Sequence, residues 1–90
     1  MPDATASVTI TNKLGMHARP AMMLVDVASK YTADIKLCKG DQAVDAKSIM
    51  QLMMLAAVSG TELRVEATGP DAADAVNALR QLVDSKFDEE

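Results

Sequence analysis

Thr61-Glu62-Leu63-Arg64-Val65-Glu66-Ala67-Thr68-Gly69-Pro70-Asp71-Ala72 is the stretch on which the fold turns. Leu63, Val65 and Ala67 alternate with Glu62, Arg64 and Glu66, the period-two pattern of a strand with one buried and one wet face. Gly69-Pro70 punctuates it. Asp71 stands where a helix cap belongs, ahead of apolar residues at 72, 75, 76, 79, 82 and 83 that form one stripe of a long helix. A half-polar strand feeding an amphipathic helix implies a sheet covered on one face only.

Earlier segments repeat that logic. Ser7–Thr11 alternates through Val8 and Ile10 and reads as the first strand. After the loop 12–15, apolar positions 18, 21, 24, 25 and 28 predict a helix from His17 or Ala18 to about Lys30. Pro20 is tolerated there because a first-turn residue has no intrahelical N–H bond to lose. Asp34–Lys39 and Gln42–Ala46 form a hairpin about Gly40-Asp41. Ser48-Ile49-Met50-Gln51 has the form of a capping box, Ser48 at the N-cap and Gln51 at N3, and opens a Met-rich helix that, with its following loop, is ended by Gly60. Met50, Leu52 and Leu55 are expected to fill the core. Cys38 has the opposite parity to Ile35 and Leu37 and is expected half-exposed on the polar face. The order is βαββαβα: an α+β fold, a four-stranded antiparallel sheet with three helices on one face.

Ninety residues make one domain, 1–90, with a core over about 7–87. With no Trp, one Tyr and one Phe, that core is aliphatic, with seven Met available to fill it. Nine basic against thirteen acidic residues set the net charge at −4, which argues against nucleic acid and anionic membranes, since both require a basic face. The longest apolar run, Leu52–Val58, is too short to span a bilayer, and Met1-Pro2-Asp3-Ala4 has neither the basic nor the apolar region of a signal peptide, so none is expected. A single Cys excludes an intrachain disulfide and fits a reducing compartment; one His and one Cys are too few for structural zinc. Neither metal nor cofactor is expected.

The chemistry-bearing segment is Gly15-Met16-His17-Ala18-Arg19-Pro20-Ala21, which puts the lone imidazole at a helix N-cap. First-turn N–H groups lack intrahelical acceptors and the macrodipole is positive there, so the position favours anions, phosphate included. Ala18, Arg19 and Ala21 supply N–H donors, and Arg19 adds a guanidinium suited to phosphate oxygens. Gly15 lets the loop turn sharply and leaves the ring uncovered. Imidazole is substantially neutral, and so nucleophilic, near pH 7. The four glycines, at 15, 40, 60 and 69, form no nucleotide-binding loop, so phosphate would have to come from another protein. A plain capping or surface His, or an anion site without transfer, fits the same spacing.

Asn12-Lys13-Leu14-Gly15-Met16-His17-Ala18-Arg19-Pro20-Ala21 resembles the active-site motif of the HPr family, the histidine phosphocarriers of the bacterial phosphoenolpyruvate-dependent phosphotransferase system. Ala46-Lys47-Ser48-Ile49-Met50 resembles the family's regulatory serine segment, and the likeness runs without an obvious gap from about Ser7 to Phe87. The resemblance implies an open-faced sandwich. It also implies that phospho-enzyme I passes a phosphoryl group to Nδ1 of His17, which hands it to an EIIA-type protein. Arg19 would stabilise charge on the transferring oxygens and the Ala18 and Arg19 amides would hold the phosphate. Such a protein is a carrier, not an enzyme; it works as a cytoplasmic monomer without inserting in the membrane. Ser48 would be the substrate of an HPr kinase/phosphorylase, and Ile49 and Met53, joined by Met22, would be partner-docking residues. The alternative is a regulatory binding module of the nitrogen-type system, or a Ser48-switched regulator, acting through contacts without delivering phosphate. Met16, Val65-Glu66-Ala67-Thr68-Gly69-Pro70 and the tail Phe87-Asp88-Glu89-Glu90 resemble the nitrogen-regulatory branch, usually called NPr. The Ser48 segment resembles the sugar-transport branch, so the branch stays open.

Overall fold

The chain alternates strands and helices as β1 (Ala4–Thr9), α1 (Ala18–Ala28), β2 (Asp34–Lys39), β3 (Gln42–Asp45), α2 (Ile49–Leu55), β4 (Glu62–Thr68) and α3 (Ala72–Asp84), followed by a short 3-10 turn, Lys86–Asp88. The computed structural model describes residues 1–88; Glu89 and Glu90 of the tail motif lie outside the described residues. The four strands form one sheet in the order β1-β4-β2-β3, and every neighbouring pair is antiparallel. This is the βαββαβα, α+β architecture that the patterning predicts.

Register explains why one face is dry. Leu37 lies between Val65 and Val44, Ile35 opposite Ala67, Ala6 opposite Val65 and Val8 opposite Leu63, so every inward position of the sheet is apolar. Leu24, Leu52, Leu55, Leu79 and Val83 from the helices close over that face and are fully buried. At about 1.5–3 kcal/mol for each large apolar side chain taken from water, this layer is the main source of stability. The outer face carries Thr5, Glu66, Lys36 and Asp45 in one cross-strand row, an alternation of charge that suits solvent.

Several local expectations are corrected. β1 starts at Ala4 rather than Ser7, because Ala4 and Ala6 continue the inward-facing set opposite Ala67 and Val65. It stops at Thr9, and Ile10, though fully buried, is held from outside the strand by bonds to Gly60 and Thr61. α1 ends at Ala28, short of Lys30, with Ser29 as its C-cap. Cys38 does face outward, between Arg64 and Ala43, but only 5% of it is exposed, not half. Parity tells which face a residue takes, and cross-strand neighbours decide how far it is covered. Burial, helped by the Glu66 carboxylate, pushes the thiol's pKa up, so Cys38 is a poor nucleophile.

Both caps differ from their sequence forms. Ser48 Oγ accepts from the Gln51 N–H at 3.3 Å, but Gln51 Oε1 reaches back to the Asp45 N–H at 2.9 Å instead of to Ser48. Asp71 occupies the N-cap of α3 without a side-chain cap bond. Its carboxylate instead accepts from the N–H groups of Thr32 and Ala33 at 2.8 and 2.9 Å, and from the Thr32 hydroxyl at 3.3 Å. It ties the start of α3 to the connection between α1 and β2. These bonds, the Thr32 N–H foremost, hold its carboxyl below the usual carboxylate range. Met50, expected in the core, is 73% exposed. α2 is only seven residues long and buries Leu52 and Leu55, so its other apolar side chains point out. The helix ends on Ala56, in the left-handed region, and a loop follows to Gly60.

Candidate functional site

His17 is the N-cap residue of α1, with extended backbone dihedrals, φ −102° and ψ −171°, and no side-chain capping bond. Its carbonyl receives the first intrahelical bond, from the Ala21 N–H at 3.1 Å. That removes Ala21 from the expected anion donors. Pro20 has no N–H and is buried against the core, so the donors that helix geometry leaves without an intrahelical acceptor are those of Ala18 and Arg19. Both residues are exposed and His17 is half-buried. His17 and two N–H groups thus lie at the positive, solvent-facing end of a helix, with Arg19 two residues on from His17.

The loop that presents His17 is tightly wound. Gly15 N–H donates to Asn12 O at 3.1 Å, the buried Asn12 Nδ2 donates to Gly15 O at 2.8 Å, and the His17 N–H donates to the same carbonyl at 3.0 Å. Gly15 has φ +70°, and a Cβ there would stand 2.7 Å from Ala57 O and 2.9 Å from Val58 Cα. The expectation that Gly15 merely permits a turn is therefore too weak. Glycine is required because the loop's backbone lies directly on the segment that follows α2. Met16 reinforces that seat, with a buried side chain and an N–H that donates to Ala57 O at 2.7 Å.

Ser48 is half-buried at the start of α2, and Ile49 and Met53 are exposed on that helix. Met22 is exposed on α1, which packs against α2. Sequence reasoning missed Leu14, Met50, Met54 and Val58, all large apolar residues in the open. The surplus of apolar residues in α2 signalled that some must be exposed, but not which. Leu14 and Val58 carried no such signal, because each lies in a loop whose neighbour is set by the Gly15 contact. A hollow between α1 and α3, lined by Val27, Tyr31, Ala78 and Leu82, lies at the opposite end of α1 from His17. Among the described residues no helix is long and apolar enough to cross a membrane.

The family model described as the PTS HPr component phosphorylation site matches residues 4–85. The phosphocarrier protein HPr of Pseudomonas aeruginosa is 45% identical over 83 residues, covering 91% of this chain and 92% of that protein. The phosphocarrier protein NPr of Escherichia coli is 43% identical over 86 residues, covering 93% and 94%. The crystal structure of an HPr from Thermoanaerobacter tengcongensis superposes with a TM-score of 0.93 at 41% identity, covering 97% of this chain and 98% of that one.

Proposed function

Because the chain belongs to the HPr family of phosphocarriers of the phosphotransferase system, we propose that His17 accepts a phosphoryl group from phospho-enzyme I and passes it to an EIIA-type protein. The observation that carries this reading is the placement of the lone His at the N-cap of α1, beside Arg19 and two amides with no intrahelical acceptor. The lone pair of Nδ1 attacks phosphorus, the N–P bond forms, and the bond to the donor breaks with its electrons returning to the donor. In the second transfer the acceptor's nucleophile repeats the step in reverse on His17. The Ala18 and Arg19 N–H groups and the Arg19 guanidinium stabilise the oxygens while charge spreads over them; such transfer is mostly positioning and electrostatics. A carrier needs no substrate cavity, because each partner brings its own.

In this reading the chain is a monomeric cytoplasmic carrier and not a catalyst. Met22, Ile49 and Met53, extended by Met50 and Met54, form the docking face, where soft Met side chains suit two unrelated partners in turn. Ser48 is a kinase site at the rim of that face. Phosphate at an N-cap agrees with the helix dipole, so it acts on docking and leaves α2 folded. The near-equal identities to an HPr and an NPr protein, 45% and 43%, favour neither branch.

Incubation with labelled phosphoenolpyruvate and a competent enzyme I tests the reading. Acid-labile, base-stable label is expected on the wild type and none on His17→Ala. Equal labelling of the two proteins, or no labelling of the wild type, overturns it. Delivery of the label to sugar-specific or nitrogen-type EIIA proteins then assigns the branch.

A further inference from the structure

The residue immediately before His17 is fastened by its backbone to a residue just past the end of α2. Met16 N–H donates to Ala57 O at 2.7 Å, and Gly15 lies against Ala57 O and Val58 Cα with no room for a side chain. Met16 and Ala57 are both buried, so water does not compete for that bond. At the start of the same loop, Ile10 exchanges bonds with Gly60 and Thr61, at 2.7 and 2.9 Å. The site loop and the exit of α2 therefore form one hydrogen-bonded unit.

The exit itself has an unusual residue. Ala56 ends α2 at φ 54°, ψ 41°, a left-handed C-cap conformation that glycine adopts freely and alanine only at a cost. Such a conformation persists where the surroundings over-determine it. Here the Ala56 N–H bonds Met53 O at 3.3 Å, Lys39 Nζ reaches Leu55 O at 3.4 Å, and the Thr61 N–H bonds Val58 O at 3.0 Å.

We propose that this exit turn, Ala56-Ala57, is the positioning element for His17, and that it couples docking on the exposed face of α2 to the placement of the imidazole. The proposal rests on the phosphocarrier reading above. α2 is a short helix whose outer face carries Ile49, Met50, Met53 and Met54. A partner seated there loads a helix whose chain leaves through Ala56, and Ala57 O hands the resulting position to Met16 and so to His17. Alanine makes the turn stiff: its Cβ confines the backbone to a narrow well where glycine would roam. Ala56 and Ala57 are positioning residues, since neither side chain meets the phosphoryl group in this scheme.

Ala56→Gly tests the proposal, because the two roles predict different rates at equal or higher stability. Relief of the left-handed penalty leaves the variant as stable as the wild type or more so. A purely architectural turn would then also transfer phosphate at the wild-type rate. Positioning instead predicts that kcat for transfer from phospho-enzyme I falls about ten-fold with KM little changed. The His17 amide and ring resonances of the unphosphorylated variant are expected to shift or broaden. A wild-type kcat overturns the proposal, as do unchanged His17 resonances, and as does a loss of rate that merely tracks a lower thermal midpoint. The resonances are read without any phosphate donor. If the wild type itself takes no label from enzyme I, the carrier reading falls while the spectrum still decides whether the turn places His17.

Discussion

Gly15→Ala is the substitution whose cost can be worked out most directly from the structure. Two terms add. The first is the left-handed backbone at φ +70°, which costs a residue with a Cβ about 1 kcal/mol. The second is collision: the new methyl would stand 2.7 Å from Ala57 O and 2.9 Å from Val58 Cα, both backbone atoms that cannot swing aside. Forcing extra volume into such a seat costs about 1–3 kcal/mol. Gly40→Ala isolates the first term, since Gly40 has φ +58° and nothing within 4 Å of its added Cβ. The two variants should therefore differ by about 1–3 kcal/mol, with Gly15→Ala the less stable, or roughly 5–20 °C in thermal midpoint for a domain of this size. With no Trp and one Tyr in the chain, far-UV circular dichroism in urea is the appropriate assay. Gly40→Ala should also transfer phosphate normally, whereas Gly15→Ala should be slow even where it is fully folded. Unfolding free energies that agree to within about 0.5 kcal/mol would refute the claim that the site loop rests on the α2 exit turn.

Asp71→Asn should lower the thermal midpoint at neutral pH by weakening the acceptor for Thr32 and Ala33. Because the folded carboxyl is depressed, its contribution is complete above the unfolded value of 3.8 and is lost as pH falls through the lower folded one. Midpoints measured against pH should thus converge in strong acid; a gap independent of pH contradicts the assignment. Ser48→Ala removes the acceptor for the Gln51 N–H and should cost about 1 kcal/mol in a denaturant titration, without changing transfer from enzyme I. A kinase that labels Ser48→Ala as well as the wild type would remove the regulatory reading of that serine. Arg19→Ala should leave stability intact and slow phosphoryl transfer about a hundred-fold, the usual scale for one lost charge-stabilising donor; a wild-type rate in rapid-quench measurements would remove Arg19 from the site.

The parts of this protein legible in its sequence are those with a local physical signature. Alternation in 61–68 and the helical spacing in 72–83 read the sheet and its cover without reference to anything distant, and both agree with the structure. The Asn12–Ala21 motif put His17 at the head of α1 because Pro20 and the onset of helical spacing mark that end by themselves. What the sequence hid depends on a second segment far along the chain. Asp71 reads as a local cap, yet the N–H groups of Thr32 and Ala33, nearly forty residues back along the chain, take its carboxylate. Cys38 reads as half-exposed until its cross-strand neighbours are known. Phe87, in the tail, is fully buried in a left-handed conformation that no local rule assigns to it.

The site divides the same way. Sequence alone put His17 at the N-terminal end of α1, since that placement follows from residue types within a few positions of each other. Only the tertiary structure decided what holds that end in place. Whether Gly15 serves a turn or a backbone contact depends on Ala57 and Val58, some forty residues on, and no periodicity carries information across that distance.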